Sequence, residues 1–189
     1  MRTPLAAVTM ACTLAACAAT GNFDRELATR DLATTEAAPT ESEVLALLSA
    51  IHGQRIGQSW RLGMSLGPPC DEWIERALEL APENPRAWLA RGTSLHSRPA
   101  LFGGDEEEAL DAFGRAAELF DRGAAADAMR PTWGRADAHA WRGQVLRALG
   151  RDDEALAEYH RALEIAPDFG WVRDGLLPSL ERKLAATAP

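Results

Sequence analysis

The sequence lacks most of what an enzyme or a nucleic-acid binder displays. Its 189 residues contain no His-Glu-x-x-His pair, no Cys/His set at metal-ligand spacing, no Gly-x-Ser-x-Gly elbow and no phosphate-cradling glycine loop. His52, His96, His139 and His160 stand far apart, so no catalytic residue is assigned and no metal or cofactor is expected. Were chemistry hidden in the chain, His52 and His96 would be the first side chains to test. Positive charge is in deficit: 20 Lys and Arg against 28 Asp and Glu leave a net charge of -8. That balance gives phosphate backbones and anionic headgroups little to attract them, so nucleic acid is not an expected partner. Cysteine is scarce as well, and 3 are too few for a disulfide framework. The apolar run over residues 4–16 is too short for a permanent membrane span.

That run follows Met1-Arg2 and ends in Leu14-Ala15-Ala16-Cys17, the pattern of a processed leader. An ordinary leader cut after small residues, or a buried helix, also fits. The four residues resemble the lipobox of bacterial lipoproteins. The resemblance implies that residues 1–16 are a signal peptide and that Cys17 becomes the acylated first residue. Membrane attachment would then be by lipid alone, each buried methylene contributing roughly 0.8 kcal/mol. Ala18 in place of Asp implies, by that family's sorting habit, an outer-membrane protein facing the periplasm. Cys12 reads as a residue of the apolar run. Residues 17–39, rich in Ala, Thr, Glu and Asp, read as the lipidated Cys and a flexible tether with a reach of about 25 Å.

A repeat governs the remainder, residues 40–189. From Ala136, the residues Gly143, Leu146, Ala155, Tyr159, Ala162 and Pro167 fall at offsets 8, 11, 20, 24, 27 and 32 in the recurring unit. A second copy sets Trp88, Gly92 and Leu95 at offsets 4, 8 and 11, and resumes after an insertion with Ala109, Phe113 and Ala116. These spacings resemble the tetratricopeptide repeat, a helix-turn-helix in which small residues let two helices cross closely. The resemblance implies an all-α solenoid of about three helical hairpins plus a C-terminal capping helix, and a role in protein binding. His139 takes an aromatic slot of the repeat and is expected to pack, not to ligate.

Helical boundaries follow from local chemistry. Thr40 with Glu43 forms a capping-box pattern ahead of Val44, Leu45, Leu47, Leu48, Ile51, Ile56, Trp60 and Met64. Gly53 and Gly57 weaken this helix, and Gly67-Pro68-Pro69 is expected to stop it. A short helix over residues 70–81 would point Trp73, Ile74, Ala77, Leu78 and Leu80 inward and make Cys70 a small core residue. Pro85 suits a first helical position. Asp105 with Glu108 caps the next helix, residues 121–135 including Arg130-Pro131-Thr132-Trp133-Gly134 read as an insertion, and Asp152 is the expected cap of a later helix. Pro178 should kink or split a final helix over 171–184.

Two surfaces are candidate sites. Tetratricopeptide proteins usually hold peptides on the face made by their first helices, which here implies Arg86, Leu89, Thr93, His96, Asp137, Ala140, Gln144 and Arg147. Leu89, Thr93, Ala140 and Gln144 depart from the Lys/Asn pattern of the family's carboxylate clamps, and the mixed face suits a partly apolar segment. The other candidate is the loop Leu101, Phe102, Gly103, Gly104 and Asp105, either an elongated turn tucking Leu101 and Phe102 over the core or a loop lining a groove. Together with Pro99 it resembles a turn in TatT-like lipoproteins associated with periplasmic solute transporters. That likeness implies an alternative function, an accessory that binds a small apolar ligand under the Phe102 loop. The leading expectation is a membrane-anchored, non-enzymatic module of the bacterial cell envelope with a protein or peptide partner.

Overall fold

The computed structural model describes residues 38–56, 60–126 and 133–187. The expected signal peptide, Cys12, Cys17, most of the tether, Gly57 and the Arg130-Pro131-Thr132 stretch lie outside them, as do the side chains of Ile56, Trp60 and Met64. Among the described residues no strand occurs. The order is α1 (Ala38–Ile56), α2 (Trp60–Leu80), α3 (Pro85–Ser97), a 3-10 turn (Ala100–Phe102), α4 (Glu106–Ala126), α5 (Arg135–Ala148), α6 (Asp152–Ile165), a π-helical turn (Trp171–Leu176) and α7 (Leu177–Thr187). The hairpins α1/α2, α3/α4 and α5/α6 stack in chain order: α1 meets α3, α3 meets α5, and the π turn with α7 packs on α6. This is an all-α solenoid of helical hairpins resembling tetratricopeptide repeats.

Glycine sets the helix crossings where the repeat spacing requires it. A Cβ on Gly92 would lie 2.7 Å from the Phe113 ring, and one on Gly143 would lie 2.5 Å from Tyr159 Cε1. Only a bare Cα lets those helix pairs approach so closely. Around the crossings Phe113, Leu146, Ala155, Tyr159 and Ala162 are buried. At the far end Val172 and Leu180 are fully buried, so the closing segment shields the last hairpin.

Local signals set most helix ends. Asn84 caps α3 by accepting from Arg86 N at 2.9 Å, with Pro85 next. Asp105 caps α4, its Oδ1 accepting from both Glu107 N and Glu108 N at 2.9 Å. Gly150 (φ 76°) ends α5, with Arg151 N donating to Leu146 O at 2.8 Å. The closing helix changes geometry at Leu176, two residues before Pro178, whose missing N–H cannot serve the i−4 carbonyl.

Five expectations need correction. The first hairpin divides after Ile56, and α2 runs through Pro68 and Pro69. Burial of Cys70, Trp73, Ile74 and Ala77 against the fold outweighs two lost backbone bonds, since packing decides helix stability more than propensity does. Helix α1 starts at Ala38, so Thr40 is not its cap, and Glu43 instead reaches Arg86 at 3.0 Å. Its buried stripe is Ser42, Leu45, Ala46, Ser49 and His52, leaving Leu47 and Ile51 about half exposed at 47% and 49%. Helix α4 continues to Ala126, absorbing part of the expected insertion. Asp152 opens α6 as its first helical residue with no capping bond and pairs instead with Lys183 at 2.6 Å.

Candidate functional site

Two successive hairpins and the closing turn bring a row of rings together. His96, in the last turn of α3, meets Trp141 of α5 edge-on at 5.8 Å between centroids. Trp141 stacks on Phe113 of α4 (6.2 Å, 8° between planes) and meets Trp171 of the π turn at 4.9 Å. Phe169 closes the row, 6.0 Å from Trp171. Trp171 is 37% exposed, while Trp141 and His96 are partly so. The row thus begins in the core at Phe113 and reaches solvent across two consecutive hairpins and the closing turn. His96 Nδ1 lies 2.7 Å from Glu106 Oε2, which orients the ring.

The residues expected to line the groove divide into three groups. Ala140 is fully buried and belongs to the core, so it cannot touch a partner. Leu89 packs against the same core, and Arg86 is held on several sides. Its guanidinium bonds Glu43 of α1, donates to Trp133 O at 3.3 Å, and covers the rings of Trp133 (4.0 Å) and Phe120 (5.5 Å). Those two are packing residues, because α5 enters close to α3: Gly134 (φ 93°) would place a Cβ 2.8 Å from Phe120 and 3.4 Å from Leu89. Thr93 turns its hydroxyl back to Leu89 O at 2.8 Å, and Gln144 accepts from the Tyr159 hydroxyl at 3.1 Å. Both stay partly exposed, as do Asp137, Arg147 and His96. Repeat spacing did not single out Trp141 or Trp171. Trp141 follows Ala140 directly, and helical periodicity puts it on the face of Asp137 and Gln144, a signal available in the sequence. Trp171 carried no repeat offset.

The 101–105 loop departs from its expected packing. Leu101 is 88% and Phe102 65% exposed, so the pair does not tuck over the core. The backbone beneath it is tightly tied. Phe102 N donates to Pro99 O at 2.8 Å, Gly103 N to Ala100 O at 3.0 Å and Gly104 N to Pro99 O at 3.2 Å. Gly103 sits at φ 86°, and a Cβ on Gly104 would overlap the Arg98 carbonyl. Arg98 in turn bonds Asp71 and Ser94, fixing the loop to α2.

Buried ionisable groups elsewhere are structural. His139 is buried with Nδ1 2.7 Å from Glu158 Oε2, and Arg142 holds the other carboxylate oxygen at 2.7 Å. This group ties α5 to α6. His52 is buried edge-on to Trp73 at 4.9 Å, with Nδ1 2.9 Å from Leu48 O of its own helix. Burial, helped by neighbouring Asp71, pushes the Cys70 thiol up to about 11, so it stays protonated and unreactive near neutrality. Burial also raises the Tyr159 phenol, partly offset by a hydrogen bond from Arg147. Among the described residues no three His, Cys, Asp or Glu side chains stand where they could hold a metal ion, and no helix is long and apolar enough to cross a membrane.

The tetratricopeptide repeat family matches residues 136–169, the hairpin α5/α6 with the turn that follows it. No curated protein matches the chain.

Proposed function

We propose that this chain is a non-enzymatic protein-interaction module of the bacterial cell envelope, held at a membrane through acylated Cys17, and that His96, Trp141 and Trp171 receive a partly apolar segment of a partner protein. Helical hairpins of the tetratricopeptide type are a general platform for protein partners. The observation that carries the reading is the ring row. Three aromatic or imidazole side chains, from two successive hairpins and the closing turn, form one contiguous, partly open strip. Such strips present large contact area with few rotatable bonds, which is why aromatic side chains dominate binding hot spots. Asp137 and Arg147, partly exposed on the helix that carries Trp141, would supply orientation. The anchor rests on Leu14-Ala15-Ala16-Cys17, and the outer-membrane, periplasm-facing location on Ala18.

A photoreactive residue in place of Trp171, introduced in intact cells, should crosslink a defined partner, and Trp171→Ala in a chain carrying the photoreactive group at Gln144 should diminish that product. Failure to yield any discrete product at either position would refute the strip as a binding site. The anchor is tested separately: labelled palmitate should enter the wild-type protein and not Cys17→Ser.

A further inference from the structure

The Leu101–Phe102 tip is the most exposed apolar pair among the described residues, yet it sits on one of the most constrained turns. Three backbone bonds, a left-handed glycine and a glycine with no room for Cβ hold it in one shape. Arg98 clamps it from below. A turn that needed only to connect two helices would not require apolar side chains in water. Rigid presentation instead removes the ordering cost that a mobile loop would incur on binding.

Charge around the tip is one-sided. Asp105, Glu107 and Glu108 follow it directly and are exposed. The nearby cations are already engaged, Arg98 by Asp71 and Arg151 by Glu154 at 2.7 Å. An anionic membrane surface would be repelled by this rim, whereas a basic segment would be drawn to it.

We propose that the Leu101–Phe102 tip with its Asp105/Glu107/Glu108 rim is a second docking point, adjoining the His96 end of the ring strip at Glu106, for a protein segment bearing Lys or Arg beside apolar side chains. The two apolar groups enter a recess on the partner while the carboxylates meet its cations. The site differs from the strip in chemistry, apolar and acidic against aromatic.

The test uses the full chain and a labelled peptide of alternating Lys, Leu and Phe, with a matched peptide carrying Glu for Lys. Fluorescence anisotropy should show binding of the Lys peptide alone, weakening with added salt. Leu101→Ser/Phe102→Ser should weaken it about tenfold, the usual scale for losing a buried anchor, and Glu107→Gln/Glu108→Gln should weaken it and flatten the salt dependence. His160→Ala, exposed on α6 and outside both surfaces, should leave it unchanged. Unaltered thermal melts of the variants show that the fold is intact. The proposal is overturned if the wild type does not bind, if the Glu peptide binds equally, or if the tip variant binds as well as wild type. It is also overturned if Trp171→Ala abolishes binding while the tip variant retains it, or if tip-dependent binding is found to phosphatidylglycerol vesicles instead.

Discussion

Adding one methyl group at Gly143 should weaken the fold, although helix propensity alone favours it. In an unencumbered helix, Gly→Ala stabilises by about 1 kcal/mol. At Gly143 the new carbon would sit 2.5 and 2.7 Å from two Tyr159 ring carbons and 3.2 Å from Ala155 O, against a favourable carbon–carbon separation of about 3.5–4.0 Å. The ring cannot easily yield, being fully buried and tied by its hydroxyl to Gln144. Helices α5 and α6 would therefore have to part by about 1 Å, and overpacking of this kind costs roughly 1–3 kcal/mol. The net expectation is a loss of about 1 kcal/mol. Gly53 is the matched control, helical and exposed, with nothing within 4 Å of an added Cβ, so Gly53→Ala should gain about 0.5–1 kcal/mol. In a chain of this size 1 kcal/mol moves the melting temperature by about 2–4 °C, so the two variants should melt on opposite sides of wild type. Combining Gly143→Ala with Tyr159→Leu should erase the penalty for the alanine in a double-mutant cycle. A Gly143→Ala protein that melts at or above wild type would refute the close crossing.

Three further outcomes follow from other parts of the fold. Cys70 and Tyr159 both have folded pKa values above their unfolded ones. Their contribution is therefore complete below the unfolded thiol value and lost as pH rises, for Cys70 between about 9 and about 11. Denaturant midpoints should fall over that range, and Cys70→Ala should reduce the fall; an unchanged slope would contradict the burial. Asn84→Ala removes the α3 cap and strips the Ser42 hydroxyl of the amide that donates to it at 2.8 Å, so urea titration should show a loss of about 1–2 kcal/mol. Leu101→Ser and Phe102→Ser, by contrast, should shift the same titration by less than about 0.5 kcal/mol, and a larger loss would mean that the tip supports the core.

The second and third hairpins were legible because their crossings depend on glycine meeting an aromatic ring, a pairing that leaves a fixed spacing in the sequence. The first hairpin was not. Its buried stripe is Ser42, Ala46, Ser49 and His52 around a single leucine, so hydrophobic periodicity selected the wrong face of α1, and two prolines marked a break that packing overrides. The ring strip was half legible: His96 stood at a groove offset, but Trp141 lay one position from a named residue. Ala140 shows why offsets alone mislead, since it is fully buried in the core cluster to which α4, α5 and α6 all contribute. At the 101–105 loop the glycines correctly signalled an unusual turn. Nothing in their spacing told whether the two apolar side chains beside them faced inward or out.

Arg86 gives the stack a property that its hairpins do not have separately. One cation touches a carboxylate of the first hairpin, a ring of the second and the entry to the third. Solenoids held only by neighbour-to-neighbour contact tend to fray from an end, one unit at a time. A bolt passing through three units couples their fates, so loosening the outermost hairpin disturbs the place where the next two are joined.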